Sequence, residues 1–234
     1  MFDLIAFDAD DTLWHNERLY ELTQTKLIDL LAGYADRETV VQRLYDTEME
    51  NLEYYGYGIK SFTLSMIETA LKLSRGQISG AEIEQVIRFG KEMLTTRVEL
   101  LDQVAETIRV LAKSYSLMVL TKGDLRDQQW KLAQSGLGGY FQYVEIVSHK
   151  TAETYNALLK KYKIPPHRFL MVGNSLPSDI LPVVALGGQA VHIPYHITWQ
   201  HEIADDLPDG RDGYYKLEHM GQLPKLLNGL LTQE

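Results

Sequence analysis

The stretch MFDLIAFDADDTLW, residues 1–14, decides how the rest of the chain is read. Residues 2–7 (FDLIAF) are a short, mostly apolar run that ends on Asp8, Asp10 and Asp11. A run of that length suits a buried strand of an α/β sheet. Asp8 and Asp10 stand two apart at its end, so extended backbone turns both side chains to one side. Two neighbouring carboxylates repel, and one is driven toward its protonated form unless a cation lies between them. Asp3 and Asp8 interrupt the apolar run and no basic segment precedes it, so it does not read as a signal peptide.

Beyond this stretch the chain changes character. From about Asn16 to Arg97 the apolar spacing is helical and no strand stands out. Leu19, Leu22, Leu27, Leu30 and Leu31 predict one apolar stripe, and Val40, Val41, Leu44, Met49 and Leu52 a second helix that breaks at Gly56 and Gly58. Two further helices are expected over 61–74 and 79–94. Ser79 and Glu82 have the spacing of a capping box at the start of the last.

After about Glu99 strands and helices alternate. Strands are expected over 116–120 (SLMVL), 143–147 (YVEIV), 169–172 (FLMV) and 190–193. Helices are expected over 104–113, 125–134, 152–162 and 180–186, with a last short one near 223–231. Such alternation implies an α/β fold, a Rossmann-like doubly wound parallel sheet with helices on both faces. The first strand then belongs with the residues from 97 onward. The expected organisation is an α/β core of residues 1–14 and 97–234, with an all-helical domain of residues 15–96 inserted. Asp205 to Tyr214 reads as a turn-rich tail.

Composition narrows the function classes. The 234 residues are 45% hydrophobic and 24% charged, as in globular proteins. The formal net charge of −9 argues against a nucleic-acid or anionic-membrane partner. The absence of cysteine excludes disulfides, zinc-thiolate sites and a Cys nucleophile. No run approaches the roughly 20 apolar residues of a membrane span. A cytoplasmic protein is expected.

In open α/β sheets, ligands bind beyond the carboxyl ends of the strands. Asp8, Asp10, Asp11 and Thr12 follow the first expected strand, and Thr121, Lys122 and Gly123 follow SLMVL. Ser148, His149 and Lys150 follow YVEIV, and Gly173, Asn174, Ser175 and Asp179 follow FLMV. The fold would gather these groups in one place. Hard oxygen ligands of this kind suit Mg²⁺, and carboxylates, Mg²⁺, Lys and Thr together suit phosphoryl transfer. An aspartate can also serve as covalent nucleophile.

At this point the chain resembles the haloacid dehalogenase (HAD) superfamily. DADDTLW is similar to its motif I, Thr121 in VLTKGD to motif II, Lys150 in SHKTAETY to motif III and GNSLPSD (173–179) to motif IV. The helical insert after motif I resembles a C1 cap. The resemblance implies a phosphatase acting on a small phosphorylated metabolite through an aspartyl-phosphate. Asp8 would be the nucleophile. Asp10 would protonate the leaving alkoxide and then activate water. Thr121 and the Lys122 N–H would bind phosphate oxygens, and Lys150 would neutralise charge on Asp8 and the phosphoryl group. Mg²⁺ would be held by Asp8, the Asp10 carbonyl and Asn174 or Asp179. The dehalogenases of the superfamily carry Tyr at the position of Asp10. Halide leaves without a proton and an alkoxide does not, so Asp10 favours phosphomonoester hydrolysis over a 2-haloacid dehalogenase.

Asn174 departs from the motif, which usually has Asp there. That departure motivates a second reading, a non-catalytic phosphate-ester-binding or regulatory protein. A two-component receiver is excluded by the helical insert and by the acidic pair following the first strand. Asp11 reads as a cap or turn residue and Trp130 as a helix packing position. Tyr54, Tyr55 and Tyr57 read either as a loop facing the leaving group or as interhelical packing. Trp14 and His15 lie at the expected core–cap hinge, within reach of a substrate. His192, His196 and His201 show no metal-ligand spacing. Substrate choice is assigned to the insert.

Overall fold

The structure is a computed structural model that describes residues 2–197, 199 and 213–231. His201 and most of the expected turn-rich tail lie outside the described residues. The chain divides into two compact units. One comprises Met1–Glu17, Val98–Lys122 and Gln129–Glu234, and the other Arg18–Arg97 with Gly123–Gln128.

The first unit is built on six strands: β1 (Leu4–Phe7), β2 (Ser116–Lys122), β3 (Tyr143–Val147), β4 (Phe169–Gly173), β5 (Gln189–His192) and β6 (Tyr214–Lys216). Their order is β3-β2-β1-β4-β5-β6, and every pairing is parallel. In register, Phe7 faces Val119 on one side and Val172 on the other. The chain runs outward from β1 through β2 and β3, then returns to place β4 against the opposite edge of β1. That reversal makes a topological switch between β1 and β4, where α/β sheets bind ligands.

Alternation along β1 sends its residues to two cores. Ile5 and Phe7 pack with helices α5 (Val104–Leu111) and α9 (Leu223–Leu231), through Val104, Ile108, Leu111, Leu223 and Leu227. Leu4 and Ala6 face the other side, against Tyr155, Leu158 and Leu159 of α7 (Ala152–Tyr162) and Val183 of α8 (Leu181–Ala185). The sheet is therefore doubly wound, with all four residues of β1 buried, as its apolar composition predicts.

The second unit holds α1 from Arg18 onward (Glu17–Leu31), α2 (Arg37–Tyr55), α3 (Ile59–Leu73) and α4 (Gly80–Thr95). Its core includes Leu27, Leu31, Val40, Leu44, Met66 and Val86. The expected capping box forms: Ser79 Oγ accepts from the Glu82 N–H, and Glu82 Oε2 from the Ser79 N–H. Leu22 does not join the α1 stripe and is 55% exposed. Five residues before Leu27 is about 140° around a helix, and Thr23, four residues before, takes the buried position.

Element ends shift by one or two residues at several places, and three differences go further. β2 runs on through Thr121 and Lys122, because both pair with β3. The helix expected from Ile180 begins earlier, with a single π-helical turn over Leu176–Ile180 that carries Asp179. The short strand β6 follows Gly213, where a turn was expected, and pairs with β5. Gly123–Gln128 groups with the helical unit, where Lys60 Nζ pairs with Asp124 Oδ2 at 2.9 Å. No helix among the described residues is long and apolar enough to cross a membrane.

Candidate active site

Asp8 is the first residue past β1. Its N–H donates to the Val172 carbonyl (2.9 Å), which holds the carboxylate at the switch between β1 and β4. Asp8 is buried and both oxygens are engaged. Oδ1 accepts from Lys150 Nζ at 2.5 Å and Oδ2 from the Thr12 hydroxyl at 3.0 Å. Burial pushes the Asp8 carboxyl up to about 7, with the Lys150 ammonium pulling against it.

Lys150 lies between β3 and α7. Its ammonium also donates to Asp179 Oδ1 at 2.7 Å. Burial would lower its basicity, but the charges of Asp179 and Asp8 outweigh that and hold it above the usual lysine range. Asp179 Oδ2 accepts from the Ser175 N–H at 3.1 Å, so the carboxylate is folded back under its own loop. Gly173 makes room for it. A Cβ at that position would stand 2.2 Å from Asp179 Oδ2.

Asn174 sits on the outer side of the same loop. Its side-chain oxygen faces the Thr12 hydroxyl at 3.1 Å. His192 Nε2 lies 3.0 Å from the Asn174 carbonyl and donates to it, which ties the loop to β5. Lys122 Nζ donates to Ser178 Oγ (3.0 Å) and Tyr155 to the Ser178 carbonyl (3.0 Å), fastening the π turn from below. Thr121 is buried at the end of β2, and its hydroxyl donates to the Lys122 carbonyl at 3.2 Å rather than to Asp8.

Asp10 has a separate set of partners. Lys131 Nζ lies 3.0 Å from each of its oxygens, and the Trp14 indole N–H donates to Oδ1 at 2.6 Å. Lys131 is a residue that sequence reasoning missed. It stands in α6 (Leu125–Gln134), 121 positions from Asp10, and its surroundings in sequence are those of any solvated helical lysine. Thr12 lay within the first motif but carried no assigned role.

Asp11 adopts a left-handed backbone (φ 61°), and its carboxylate accepts from the N–H groups of Asn16 and Glu17. It is a turn and cap residue, as its sequence context suggested. Burial pushes its carboxyl up to about 7. Trp14 is buried against Asp10, and His15 Nδ1 meets the Tyr195 hydroxyl at 2.7 Å. Tyr54 and Tyr55 are exposed, 76% and 51%, which overturns the interhelical-packing reading for both. Trp130 is half-buried and His196 exposed.

The strand ends thus bring Asp8, Lys150, Asp179, Thr12 and Asn174 into one connected cluster, with Asp10 two residues from Asp8 on its own lysine. Residues 2–187 match the family model of the haloacid dehalogenase-like hydrolases. The chain belongs to that family. A haloacid dehalogenase-like family hydrolase from Xanthomonas campestris is 35% identical, with a TM-score of 0.89 over 99% of this chain and 93% of that one. The 5-amino-6-(5-phospho-D-ribitylamino)uracil phosphatase YigB of Escherichia coli is 25% identical over 81% of this chain and 82% of its own length. A glyceraldehyde 3-phosphate phosphatase of Pyrococcus abyssi is 25% identical over 83% of this chain and 82% of its own.

The donor chemistry of this haloacid dehalogenase-like site fits a hard divalent cation. Asp8 Oδ2 and the Asn174 oxygen both turn to the Thr12 hydroxyl, which has one proton to give. One buried ammonium, Lys150, serves two carboxylates, leaving the cluster an excess of negative charge. Among the described residues no three His, Asp or Glu side chains converge to hold a metal.

Proposed function

We propose that this chain is a phosphomonoester hydrolase acting on a small phosphorylated metabolite, with Mg²⁺ as cofactor. The observation that carries the reading is the division of labour between two carboxylates two residues apart. Asp8 is held by Lys150 and Asp10 by Lys131 and Trp14, so the two groups are kept on different partners. A nucleophile and an acid–base group need that separation. The names of the curated relatives also support a phosphate monoester as substrate.

In the first half-reaction an Asp8 oxygen attacks phosphorus. The ester P–O bond breaks, and the departing oxygen takes a proton from Asp10. Lys150 balances charge on Asp8 as the aspartyl-phosphate forms. The Thr121 hydroxyl and the Lys122 N–H hold phosphoryl oxygens. In the second half-reaction Asp10 takes a proton from water as that oxygen attacks phosphorus, the acyl-phosphate bond breaks, and phosphate and the Asp8 carboxylate are released. Asp8, the Asp10 carbonyl and Asn174 would hold Mg²⁺, which supplies electrostatic stabilisation of phosphoryl charge when bound. Asp179 we assign to Lys150 instead of the metal, since its side chain is wholly buried on the Lys150 ammonium and the Ser175 N–H. Asp10 disfavours carbon–halogen cleavage, because a halide leaves without a proton.

The test is turnover of p-nitrophenyl phosphate and a panel of alkyl phosphates with Mg²⁺. Hydrolysis by wild type and its loss in Asp8→Asn are expected. An inactive wild type, or an Asp8→Asn variant as active as wild type, overturns the reading.

A further inference from the structure

The Asp10 carboxylate is held by the Lys131 ammonium and the Trp14 indole N–H. Lys131 Nζ stands 3.0 Å from both of its oxygens, which puts the ammonium on the bisector of the carboxylate. A third acceptor, Asn16 Oδ1, lies 2.9 Å from the same nitrogen. Trp14 Nε1 adds a 2.6 Å contact to Asp10 Oδ1 from the opposite end of the turn. The Lys131 side chain is 9% exposed, so its charge is withdrawn from water and Asp10 helps to compensate it. Its backbone is equally fixed. Lys131 belongs to α6, and the next residue, Leu132, packs into the same core as Phe7 at the end of β1.

We propose that Lys131 is the positioning residue for Asp10, aligning its carboxyl with the leaving oxygen in the first half-reaction and with water in the second. The proposal rests on the phosphatase reading above. Lys131 transfers nothing itself: the proton moves between Asp10 and the ester oxygen, and the P–O bonding pair leaves with that oxygen. A rigid helix thereby sets the direction of a side chain that sits on a loop, and the orientation of an acid within a fraction of an ångström decides its efficiency.

A merely structural lysine and a positioning lysine differ in how their loss depends on the leaving group. An aryl oxide departs readily without a proton, whereas an alkoxide needs one. The experiment measures kcat/KM of wild type, Lys131→Met and Lys131→Arg on p-nitrophenyl phosphate and on the best alkyl phosphate of a panel. Lys131→Met is expected to lose about 100-fold on the alkyl ester and less than about 5-fold on the aryl ester, the scale of a general-acid contribution. Lys131→Arg, which keeps the charge and two donors, is expected to recover most of the alkyl activity. In an Asp10→Asn background, Lys131→Met is expected to add less than about 2-fold, because the two act as a unit. Should the methionine variant melt below the assay temperature, Lys131→Gln repeats the measurement. Equal losses on the two esters, or a full additional loss in the Asp10→Asn background, overturn this proposal alone. A wild type inactive on both esters overturns the phosphatase reading and this proposal with it.

Discussion

Lys150 Nζ lies 2.7 Å from Asp179 Oδ1, with the two side chains 1% and 0% exposed. The pair is cut off from water, and the same ammonium reaches Asp8. Removing one member of a buried pair costs about 3–5 kcal/mol, because the other charge is left without compensation. Asp179→Ala should therefore lower the melting temperature by about 6–20 °C, at about 2–4 °C per kcal/mol for a chain of this size. Calorimetry checks this. A shift of under two degrees would mean that Asp8 alone satisfies Lys150.

Gly173 makes a sharper version of the same test. Alanine there adds only a methyl group, yet its Cβ would meet Asp179 Oδ2 at 2.2 Å. The backbone does not need glycine's left-handed freedom at this position, so any cost comes from displacing Asp179. Gly173→Ala should destabilise wild type by about 1–3 kcal/mol, the usual range for overpacking. In an Asp179→Ala background it should cost much less. Urea unfolding of the four proteins reads the coupling directly.

Asn174 gives a metal-affinity prediction. A carboxamide offers oxygen without charge, so Asn174→Asp should tighten Mg²⁺ binding, by about tenfold, since ligand charge count tunes affinity at oxygen sites. Isothermal titration with Mg²⁺ measures it. Unchanged affinity would remove Asn174 from the ligand set. Activity that appears only in the Asn174→Asp variant would favour the non-catalytic reading of the natural chain.

Glu48 in α2 concerns stability alone. Burial raises its carboxyl from the ordinary value near 4.5 to about 8. Below pH 4.5 it is protonated in both the folded and the unfolded chain and costs nothing. Above that, the unfolded chain gives up the proton while the folded chain keeps it, so stability falls as pH rises toward 8 and then levels off. Glu48→Gln removes this titration. Its melting temperature should match wild type near pH 4 and exceed it by several degrees at pH 9. A constant difference across that range would contradict the burial of Glu48.

Much of the fold is legible because it depends on local pattern. Short β-branched and apolar runs such as FLMV, each followed by a helical repeat, force a parallel sheet with crossovers. The capping box at Ser79 and Glu82 is a four-residue signal and forms as spaced. The features that were not legible are those set by distant neighbours. β6 is three residues long, too short to show alternation, and it exists because β5 offers an edge. The π turn at Leu176–Ile180 follows from the need to bury Asp179 beneath Gly173. Leu22 is apolar and sits on the wrong side of its helix.

The candidate site divides along the same line. By itself, the sequence determined which groups stand at the strand ends, since β-strand length and glycine-bounded loops are written locally. Asp8, Asp10, Thr121, Lys150, Asn174 and Asp179 could all be named from it. The family resemblance implied Lys150 on Asp8, but only the tertiary structure decided that Asp179 shares that ammonium and that Lys131 holds Asp10. Lys150 joins Asp8 across 142 positions, and Lys131 joins Asp10 across 121. Ion pairs of that separation leave no trace in local spacing. They depend on where the sheet order places β1, β3 and α6, and on how far water is excluded between them.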